Sequence, residues 1–306
     1  MKQTCVRSLE DRHTRFGLFL GCYAQTEQYA CELSARQVLP KLDIDLADIK
    51  GAACCGFPLN SINNLSWIYL TARNLALCED QRLDMLPLCN GCHLSMCEVK
   101  HALQTDPALK EKINSILASE DLRYEGKTRV RHIIEVLHDD VGPERIQKAI
   151  IRSMSGLKFA AHYGCHALRP SELGRPDDSR DPRKLETLIG ALGAQWDLYP
   201  ERLDCCGAGI AVSAGESSLK IAGAKLERLR ASGFDGLVTT CPFCMRMYDA
   251  RQEAIGALFS SATSFPVFYY TQLLGLCMDI DKASLGLHLN MSPVDELFQK
   301  FQPKTA

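Results

Sequence analysis

The sequence predicts an α/β protein made of two tandem, duplicated modules with parallel-sheet cores that pack closely together. Three observations support this prediction. A pattern of five cysteines occurs twice along the chain. Each cysteine cluster follows a short apolar run or precedes a helical pattern, as ligand-bearing loops do at the carboxyl ends of parallel strands. The length of 306 residues suits two modules of about 150 residues each. We place the modules at residues 1–140 and 141–306.

The repeated pattern consists of a lone cysteine after a glycine, an adjacent cysteine pair followed by glycine, and a C-x-x-C pair. Between the lone cysteine and the adjacent pair lie 31 residues in the first copy and 39 in the second. Because three spaced elements recur in the same order, the pattern indicates an internal duplication. Its members are Cys22, Cys54, Cys55, Cys89 and Cys92 in the first copy, and Cys165, Cys205, Cys206, Cys241 and Cys244 in the second.

The composition is that of an ordinary globular protein, with 46% hydrophobic and 24% charged residues, and it allows a sizeable core. Lysine plus arginine (35) nearly balances aspartate plus glutamate (37), which argues against a nucleic-acid-binding surface. The polar N-terminus lacks the apolar core of a signal peptide. No apolar stretch approaches the ~20 residues that span a bilayer. We therefore expect a cytoplasmic protein, or a soluble subunit of a larger assembly, without a transmembrane segment.

Hydrophobic periodicity predicts the order of elements in the first module. The elements are a buried strand at 16–20, a helix from Tyr23 to about Leu39 closed by Pro40, a variable segment, a helix capped by Ser61 or Asn63, a strand at 85–88, and a helix from His93 onward. Cys22 and Cys89 each follow a strand in this scheme.

The second module repeats the same order. Its predicted elements are a strand at 157–163, a helix at 183–192, a helix at 217–230, a strand at 236–240 and a helix after Cys244. Residues 100–155, mostly helical by pattern, are expected to connect the modules. The charged segment 177–182 is predicted to be an exposed loop.

Clustered thiols in a cytoplasmic protein indicate metal binding or redox catalysis, because thiols there are kept reduced. A C-x-x-C pair before a helix can chelate a metal or one edge of a cluster. Five thiolates exceed the four that tetrahedral zinc or an ordinary cubane requires. This count favours a polynuclear iron–sulfur cluster over zinc, a thioredoxin-like dithiol or reduced core cysteines. The sequence lacks the ferredoxin run C-x-x-C-x-x-C-x-x-x-C-P.

The duplicated pattern resembles the CCG domain found in the B subunit of heterodisulfide reductase. The resemblance extends over residues 16 to about 250 and includes the phrase His-Tyr-Gly-Cys-His-Ala-Leu-Arg-Pro at 162–170. It implies two CCG modules that each hold a non-cubane [4Fe-4S] cluster. The implied ligands are Cys22, Cys54, Cys55, Cys89 and Cys92 for one cluster, and Cys165, Cys205, Cys206, Cys241 and Cys244 for the other.

The same resemblance implies an oxidoreductase acting on sulfur groups, with Cys55 and Cys206 as candidate catalytic residues. The substrate would be the coenzyme M–coenzyme B heterodisulfide or, as in the heterodisulfide-reductase-like complexes of sulfur oxidisers, protein-bound sulfur. Two neighbouring clusters that each capture one sulfur would avoid releasing a thiyl-like fragment, which gives the duplication a purpose. The implied partners are a small cubane iron–sulfur protein like the C subunit of the family's complexes and a flavin protein like the A subunit. The alternative is an electron-transfer or scaffold role without substrate chemistry.

Five cysteines fall outside both sets: Cys5, Cys31, Cys78, Cys97 and Cys277. We expect core packing for Cys31 and Cys78, because free cysteine is among the most buried residue types. Cys97 could approach the first cluster, but core packing is the favoured interpretation for it too.

Three histidines adjoin or lie near the predicted ligands, namely His93, His162 and His166. Each could hydrogen-bond a cluster or donate a proton to a departing thiolate, and a structural role is an equal alternative. Arg169 is the arginine nearest the second lone cysteine, and it is the candidate for binding an anionic substrate group.

Overall fold

Two parallel sheets organise the chain, as the sequence predicts. The computed structural model describes residues 14–259, 264–298 and 302–303. The first sheet has three strands in the order β2-β1-β3, and the second has four in the order β6-β5-β7-β8. Every pairing within these two sheets is parallel. The carboxyl ends of neighbouring strands therefore lie together in each sheet.

The first sheet and its helices come from the N-terminal part of the chain. Its elements are β1 (Thr14–Phe19), α1 (Tyr23–Thr26), α2 (Tyr29–Val38), β2 (Ile44–Asp48), α3 (Asn64–Asp80), β3 (Asp84–Pro87) and α4 (Asn90–Thr105). The strands predicted at 16–20 and 85–88 are confirmed. Asn63 caps α3, since its side chain accepts a hydrogen bond of 3.1 Å from the Ser66 N–H.

A helical connection leads to the second sheet. It consists of α5 (Pro107–Leu117), α6 (Ile133–Glu135), a π-helical turn at Val136–Val141, α7 (Pro143–Ala149) and the short β4 (Arg152–Ser153). The expectation of mostly helical structure here is met between residues 107 and 149, although 121–132 contains no helix.

The second sheet repeats the order of the first and then adds one strand. Its elements are β5 (Lys158–His162), α8 (Cys165–Leu168), α9 (Lys184–Ala191), β6 (Gln195–Trp196), α10 (Gly215–Ala231), β7 (Gly236–Thr239), α11 (Pro242–Tyr248), α12 (Gln252–Phe259), β8 (Val267–Tyr269), α13 (Tyr270–Cys277), α14 (Asp295–Phe298) and β9 (Gln302–Pro303). β9 pairs antiparallel with β4.

Five expectations about local structure are corrected. The single helix predicted from Tyr23 to about Leu39 is two helices, α1 and α2, and a 3-10 turn at Leu39–Leu42 continues through Pro40. The helix expected after Cys244 begins at Pro242. The segment described as variable contains β2, an edge strand whose alternating Ile-Asp-Leu-Ala-Asp sequence leaves both aspartates exposed. The helix expected from His93 begins at Asn90, because Cys89 occupies its N-cap position. The predicted exposed loop at 177–182 is partly buried, since Asp177 accepts hydrogen bonds from the N–H groups of Arg183 and Lys184 at the start of α9.

The two sheets share one continuous apolar core. Helix α13 packs on α2, where Ser34 and Thr271 hydroxyls hydrogen-bond at 2.6 Å. The Tyr269 hydroxyl donates to the Gln28 side chain at 2.9 Å. Both of these bonds join residues more than 230 positions apart in the chain. Among the described residues, no helix is both long and apolar enough to cross a membrane.

Candidate metal centre

The lone cysteine and the C-x-x-C pair of each module emerge from neighbouring strands. In the first sheet Phe19 of β1 lies beside Pro87 of β3, so the chain reaches Cys22 and Cys89 at the same edge. In the second sheet β5 and β7 are paired in the same way, and Cys165 and Cys241 follow them. Cys89 and Cys241 are the N-cap residues of α4 and α11. The duplicated sequence therefore gives a duplicated geometry.

Each adjacent cysteine pair lies in a tight loop that its glycine makes possible. Gly56 and Gly207 have φ angles of 77° and 85°, in the left-handed region that favours glycine. A Cβ atom on Gly207 would lie 2.6 Å from the Ser218 carbonyl oxygen, so the loop is pressed against α10. Both glycine N–H groups donate back to a sulfur, at 3.4 Å to Cys54 and 3.3 Å to Cys205.

A second pair of glycines brings the lone cysteine against the C-x-x-C pair. Gly21 and Gly164 precede the lone cysteines and have φ angles of 64° and 77°. A Cβ atom on Gly21 would lie 2.7 Å from the Cys92 sulfur, and one on Gly164 would lie 3.0 Å from the Cys244 sulfur. Each turn thus combines a backbone conformation and a close approach that only glycine satisfies.

The ten predicted cysteines form a single run of interacting thiols. Neighbouring members lie close enough to shift one another's pKa, in the order Cys22, Cys54, Cys55, Cys92, Cys89, Cys241, Cys244, Cys206, Cys205 and Cys165. The two sets meet in the middle, where Cys89 contacts Cys241. The centre of the run is buried, whereas its two ends, Cys22 and Cys165, are half-buried and Cys205 is exposed. The two predicted sites therefore lie side by side.

Interactions between neighbouring thiols give both modules the same electrostatic pattern. The Cys22 thiol, followed by Cys55 and the Gly56 N–H, lowers the pKa of Cys54 to about 2. Cys165 and Cys206 lower the pKa of Cys205 to about 2 in the same way. The neighbouring thiols therefore favour the ionised form of the first cysteine in each adjacent pair, and thiolates are the form that binds metals.

Aromatic and polar side chains cover the seam, which is the boundary where the two cysteine sets meet at Cys89 and Cys241. The Tyr23 and Phe243 rings are 4.1 Å apart between centroids, and Phe57 meets the His166 ring at 5.0 Å. Tyr23, Phe57 and Phe243 line a small void together with Cys22, Cys55, Cys89 and Cys92. The environment around the touching thiols is thus largely apolar.

Asn90 lies inside the first C-x-x-C pair and forms a hydrogen-bonded link between the modules. The sequence did not indicate this role. Its side-chain amide donates to the Tyr163 carbonyl oxygen at 2.5 Å, and its oxygen lies 2.8 Å from His132 Nε2. Both Asn90 and His132 are 1% exposed. Burial lowers the pKa of His132 to about 3, so the ring is neutral and donates from Nε2 to Asn90. A polar residue at this position carries no distinctive sequence pattern.

Four of the five remaining cysteines can be located, and Cys5 lies outside the described residues. Cys31, Cys78 and Cys277 are buried, which agrees with the core role expected for the first two. Cys97 is half-buried with its sulfur 3.8 Å from His93 Nε2, and it does not join the thiol run.

The histidines and the arginine that the sequence suggested as functional residues differ in how deeply they are buried. His93 and His162 are fully buried, and His166 is half-buried against Phe57. Arg169 is exposed. The arginine that interacts with the His93–Cys97 pair is instead Arg175, which also donates to the His166 carbonyl oxygen at 3.4 Å.

The donor set fits a polynuclear iron–sulfur group. In the part of the chain that the structure describes, no three Cys, His, Asp or Glu side chains are arranged to hold a single metal ion. The thiols instead form two groups of five, and cysteine thiolates are the ligands of iron–sulfur clusters. Near them lie buried atoms that have no hydrogen-bond partner among the described residues, namely His93 Nδ1, His162 Nε2, Thr240 Oγ1 and Tyr248 OH. Donors of this kind can hydrogen-bond cluster sulfurs.

Comparison with known proteins gives consistent matches. The cysteine-rich CCG domain family matches residues 16–97 and 159–249. The chain is 36% identical over 280 residues to the B subunit of the ferredoxin/F(420)H(2)-dependent CoB-CoM heterodisulfide reductase of Methanosarcina acetivorans, covering 90% of this chain and 93% of that protein. It is 35% identical to a protein of Archaeoglobus profundus named as similar to the heterodisulfide reductase B subunit, covering 94% and 97%.

Two further matches broaden the picture. The 8-methylmenaquinol:fumarate reductase membrane anchor subunit of Wolinella succinogenes is 33% identical over 92% of this chain and 98% of that protein. A crystal structure of a hypothetical protein from Helicobacter pylori matches with a TM-score of 0.73 at 15% identity, covering 93% of this chain and 53% of that one. This last match concerns the fold alone. With two cysteine-rich domains and relatives above 30% identity along nearly the whole chain, the protein belongs to the CCG-domain family that includes the heterodisulfide reductase B subunit and related reductase subunits.

Proposed function

We propose that this chain is the catalytic iron–sulfur subunit of a heterodisulfide reductase or a heterodisulfide-reductase-like complex. It would hold two non-cubane [4Fe-4S] clusters and carry out disulfide, thiol or protein-bound sulfur chemistry between them. The observation that carries the proposal is the unbroken run of ten thiols, whose two halves meet at Cys89 and Cys241. Two sites that touch can act on two sulfurs that are bonded to each other.

Each module would supply one set of five ligands. The proposed sets are Cys22, Cys54, Cys55, Cys89 and Cys92 in the module at 1–140, and Cys165, Cys205, Cys206, Cys241 and Cys244 in the module at 141–306. The lowered pKa of Cys54 and Cys205 supports this assignment, because the neighbouring thiols favour the thiolate form that binds metals. Adjacent side chains diverge along the backbone, so each cysteine pair suits two metal atoms of one polynuclear group.

Cys55 and Cys206 are the proposed catalytic residues. They are the second members of the adjacent pairs and are 2% and 5% exposed. The Cys55 thiol lines the void at the seam with Phe57 and Phe243. An apolar wall here would exclude water from a bound disulfide and hold its two sulfurs between the modules.

The bound groups would supply one-electron chemistry that protein side chains lack. Reduction of a disulfide consumes two electrons and two protons and releases two thiols, so the chain must receive electrons from outside. The chain's own part is to bind the ligands, orient the two sites and shield the seam. We propose two partners in the cytoplasm: a small cubane iron–sulfur protein like the family's C subunit, and a flavin protein like its A subunit.

A second candidate is an electron-transfer or scaffold role in which the clusters never touch a substrate. The Wolinella succinogenes relative, named as a membrane anchor subunit of a fumarate reductase, favours it. The two candidates differ in one measurement. Adding a disulfide or thiol to the reduced protein should change its paramagnetic resonance spectrum if the clusters are catalytic, and should leave the spectrum unchanged if they are a relay.

Metal content tests the proposal directly. Protein produced without oxygen should contain about eight irons per chain with matching acid-labile sulfide, as two four-iron groups require. Zinc should be far below this stoichiometry. One or two zinc ions per chain with little iron would overturn the cluster assignment.

A further inference from the structure

A buried lysine lies beside the C-terminal cysteine set. Lys225 is on α10 and is 2% exposed, although lysine is almost never fully buried unless it is paired. Its nitrogen donates to the Asp204 carbonyl oxygen and to His162 Nδ1, each at 3.1 Å. The mechanism described above makes no use of it.

The surroundings of Lys225 preserve its positive charge. The ammonium lies 5.8 Å from the ring centroids of both Tyr199 and Tyr248, within the range of cation–π attraction. Burial lowers the pKa of Lys225 to about 8, so most molecules still carry the charge at neutral pH. Asp204 and then the neighbouring cysteines Cys244, Cys206 and Cys205 act in the opposite direction and favour the charged form.

Lys225 and Tyr248 interact electrostatically with the same cysteines, and His162 interacts with one of them, Cys205. The charge interactions of Lys225 include Cys244, Cys206 and Cys205, and Tyr248 interacts with the same three. Because lysine has no acceptor, His162 must accept at Nδ1 and carry its proton on Nε2. That Nε2 and the Tyr248 hydroxyl are buried and have no partner among the described residues.

The N-terminal set has no lysine, histidine or tyrosine at the positions that correspond to these three residues. Lys225 stands 19 residues after Cys206, and the residue 19 positions after Cys55 is Asn74. The counterparts of His162 and Tyr248, by their distances from Cys165 and Cys244, are Phe19 and Met96. Asn74 is neutral and its amide is satisfied by Ala53, Cys54 and Leu70 backbone groups. The duplication is therefore symmetric in thiols, but only the C-terminal set has a buried lysine at this position.

We propose that Lys225, with His162 and Tyr248, makes the C-terminal site the more easily reduced of the two, so that the group bound there accepts an electron first. This inference rests on the proposed function. A buried positive charge stabilises the more negative, reduced state of a neighbouring group. Hydrogen-bond donors to cluster sulfurs act in the same direction. Electrons would then enter the pair of sites in a fixed order.

A redox titration of the intact, iron-loaded protein, followed by paramagnetic resonance, tests the inference. Wild-type protein should show two midpoint potentials. Cys206→Ser should alter the paramagnetic resonance signal that appears at the higher potential, which assigns that signal to the C-terminal site. Lys225→Met should lower that potential toward the other and leave the lower one in place. Lys220→Met, on the exposed face of the same helix, should shift neither.

A milder variant covers the case in which Lys225→Met fails to fold. Tyr248→Phe removes only an unpartnered hydroxyl and should lower the same potential by a smaller amount. A single shared potential in the wild type, or a higher potential that belongs to the N-terminal site, would overturn the inference. So would unchanged potentials in both variants. A chain that binds about two zinc ions and no iron would instead overturn the proposed function.

Discussion

Cys89 and Cys241, which open the C-x-x-C pairs of different modules, lie side by side and shift each other's pKa in opposite directions. Both are N-cap residues of helices that follow a central strand. The contact converts two separate five-cysteine motifs into one continuous site.

Removing one site should abolish turnover and not halve it. Cys55→Ala and Cys206→Ala each disturb one five-cysteine set and leave the other whole. If both sites act on one disulfide, each single variant should lose about a hundredfold or more of the activity, and the double variant little further, because groups that act as a unit are non-additive. Turnover with the reconstituted complex measures this. Near-half activity in both singles, with the untouched cluster intact, would contradict the two-site mechanism.

Cysteines outside the thiol run should be dispensable for iron binding. Cys78 and Cys277 are fully buried in the apolar core, and Cys78 donates to the Leu83 carbonyl oxygen at 3.2 Å. Cys78→Ser and Cys277→Ser should keep the iron content of the wild type, with a loss of unfolding free energy of about 1–3 kcal/mol from the buried hydroxyl. Cys5→Ser should also keep its iron. Loss of about half the iron in any of the three would show that the cysteines are assigned wrongly.

The glycines before the lone cysteines should be needed for cluster binding. Gly21→Ala and Gly164→Ala each place a methyl group within 3.0 Å of a cysteine sulfur, on a backbone with positive φ. Each variant should lose about half of the iron, because one four-iron site in two is blocked. Iron analysis of the purified protein measures the loss.

Gly156→Ala is the matched control for the two glycine variants. Its φ is 85°, but a Cβ atom there meets nothing within 4 Å. It should cost about 1–2 kcal/mol in stability from the backbone alone and keep all of its iron. Equal iron loss in the control would mean that backbone strain, and not the approach to sulfur, causes the effect.

The link through Asn90 should stabilise the contact between modules. Asn90→Ala removes the hydrogen bonds to Tyr163 and His132 in a fully buried setting. It should reduce the free energy of unfolding by about 1–3 kcal/mol, because it leaves buried partners unsatisfied. Denaturant titration measures this. Asn60→Ala, a loop variant whose side chain contacts Ser61, should change stability by less than about 0.5 kcal/mol, and an equal loss in both would remove the special role of Asn90.

Disulfide reduction should require a partner that carries ordinary cubane clusters. The chain has two proposed sites but no ferredoxin run of its own. Isolated protein should therefore show no turnover with a pyridine nucleotide as the sole reductant, and activity should return when the partner proteins are added. Reduction of a disulfide by the isolated chain and pyridine nucleotide alone would contradict this expectation.

Much of the architecture was predictable because it is encoded locally. Short apolar runs predicted β1, β3, β5 and β7, and the cysteine spacing predicted the duplication. Edge strands were harder, because β2 alternates apolar and acidic residues and β6 has only two residues. The boundary between the modules near residue 140 remains a prediction.

The sequence predicts which thiols belong together within each module, because the glycine turns and strand ends that position them are local features. The contact between the two sets at Cys89 and Cys241, and the position of Lys225 beside one of them, follow from the packing of the whole chain. The helical pattern Ala222, Lys225, Leu226 and Leu229 could have indicated that Lys225 is buried. Its position beside the thiols depends on how α10 packs over the cysteine loop. Such packing brings together residues that are far apart in the chain, and no periodic pattern in the sequence indicates which of them will meet.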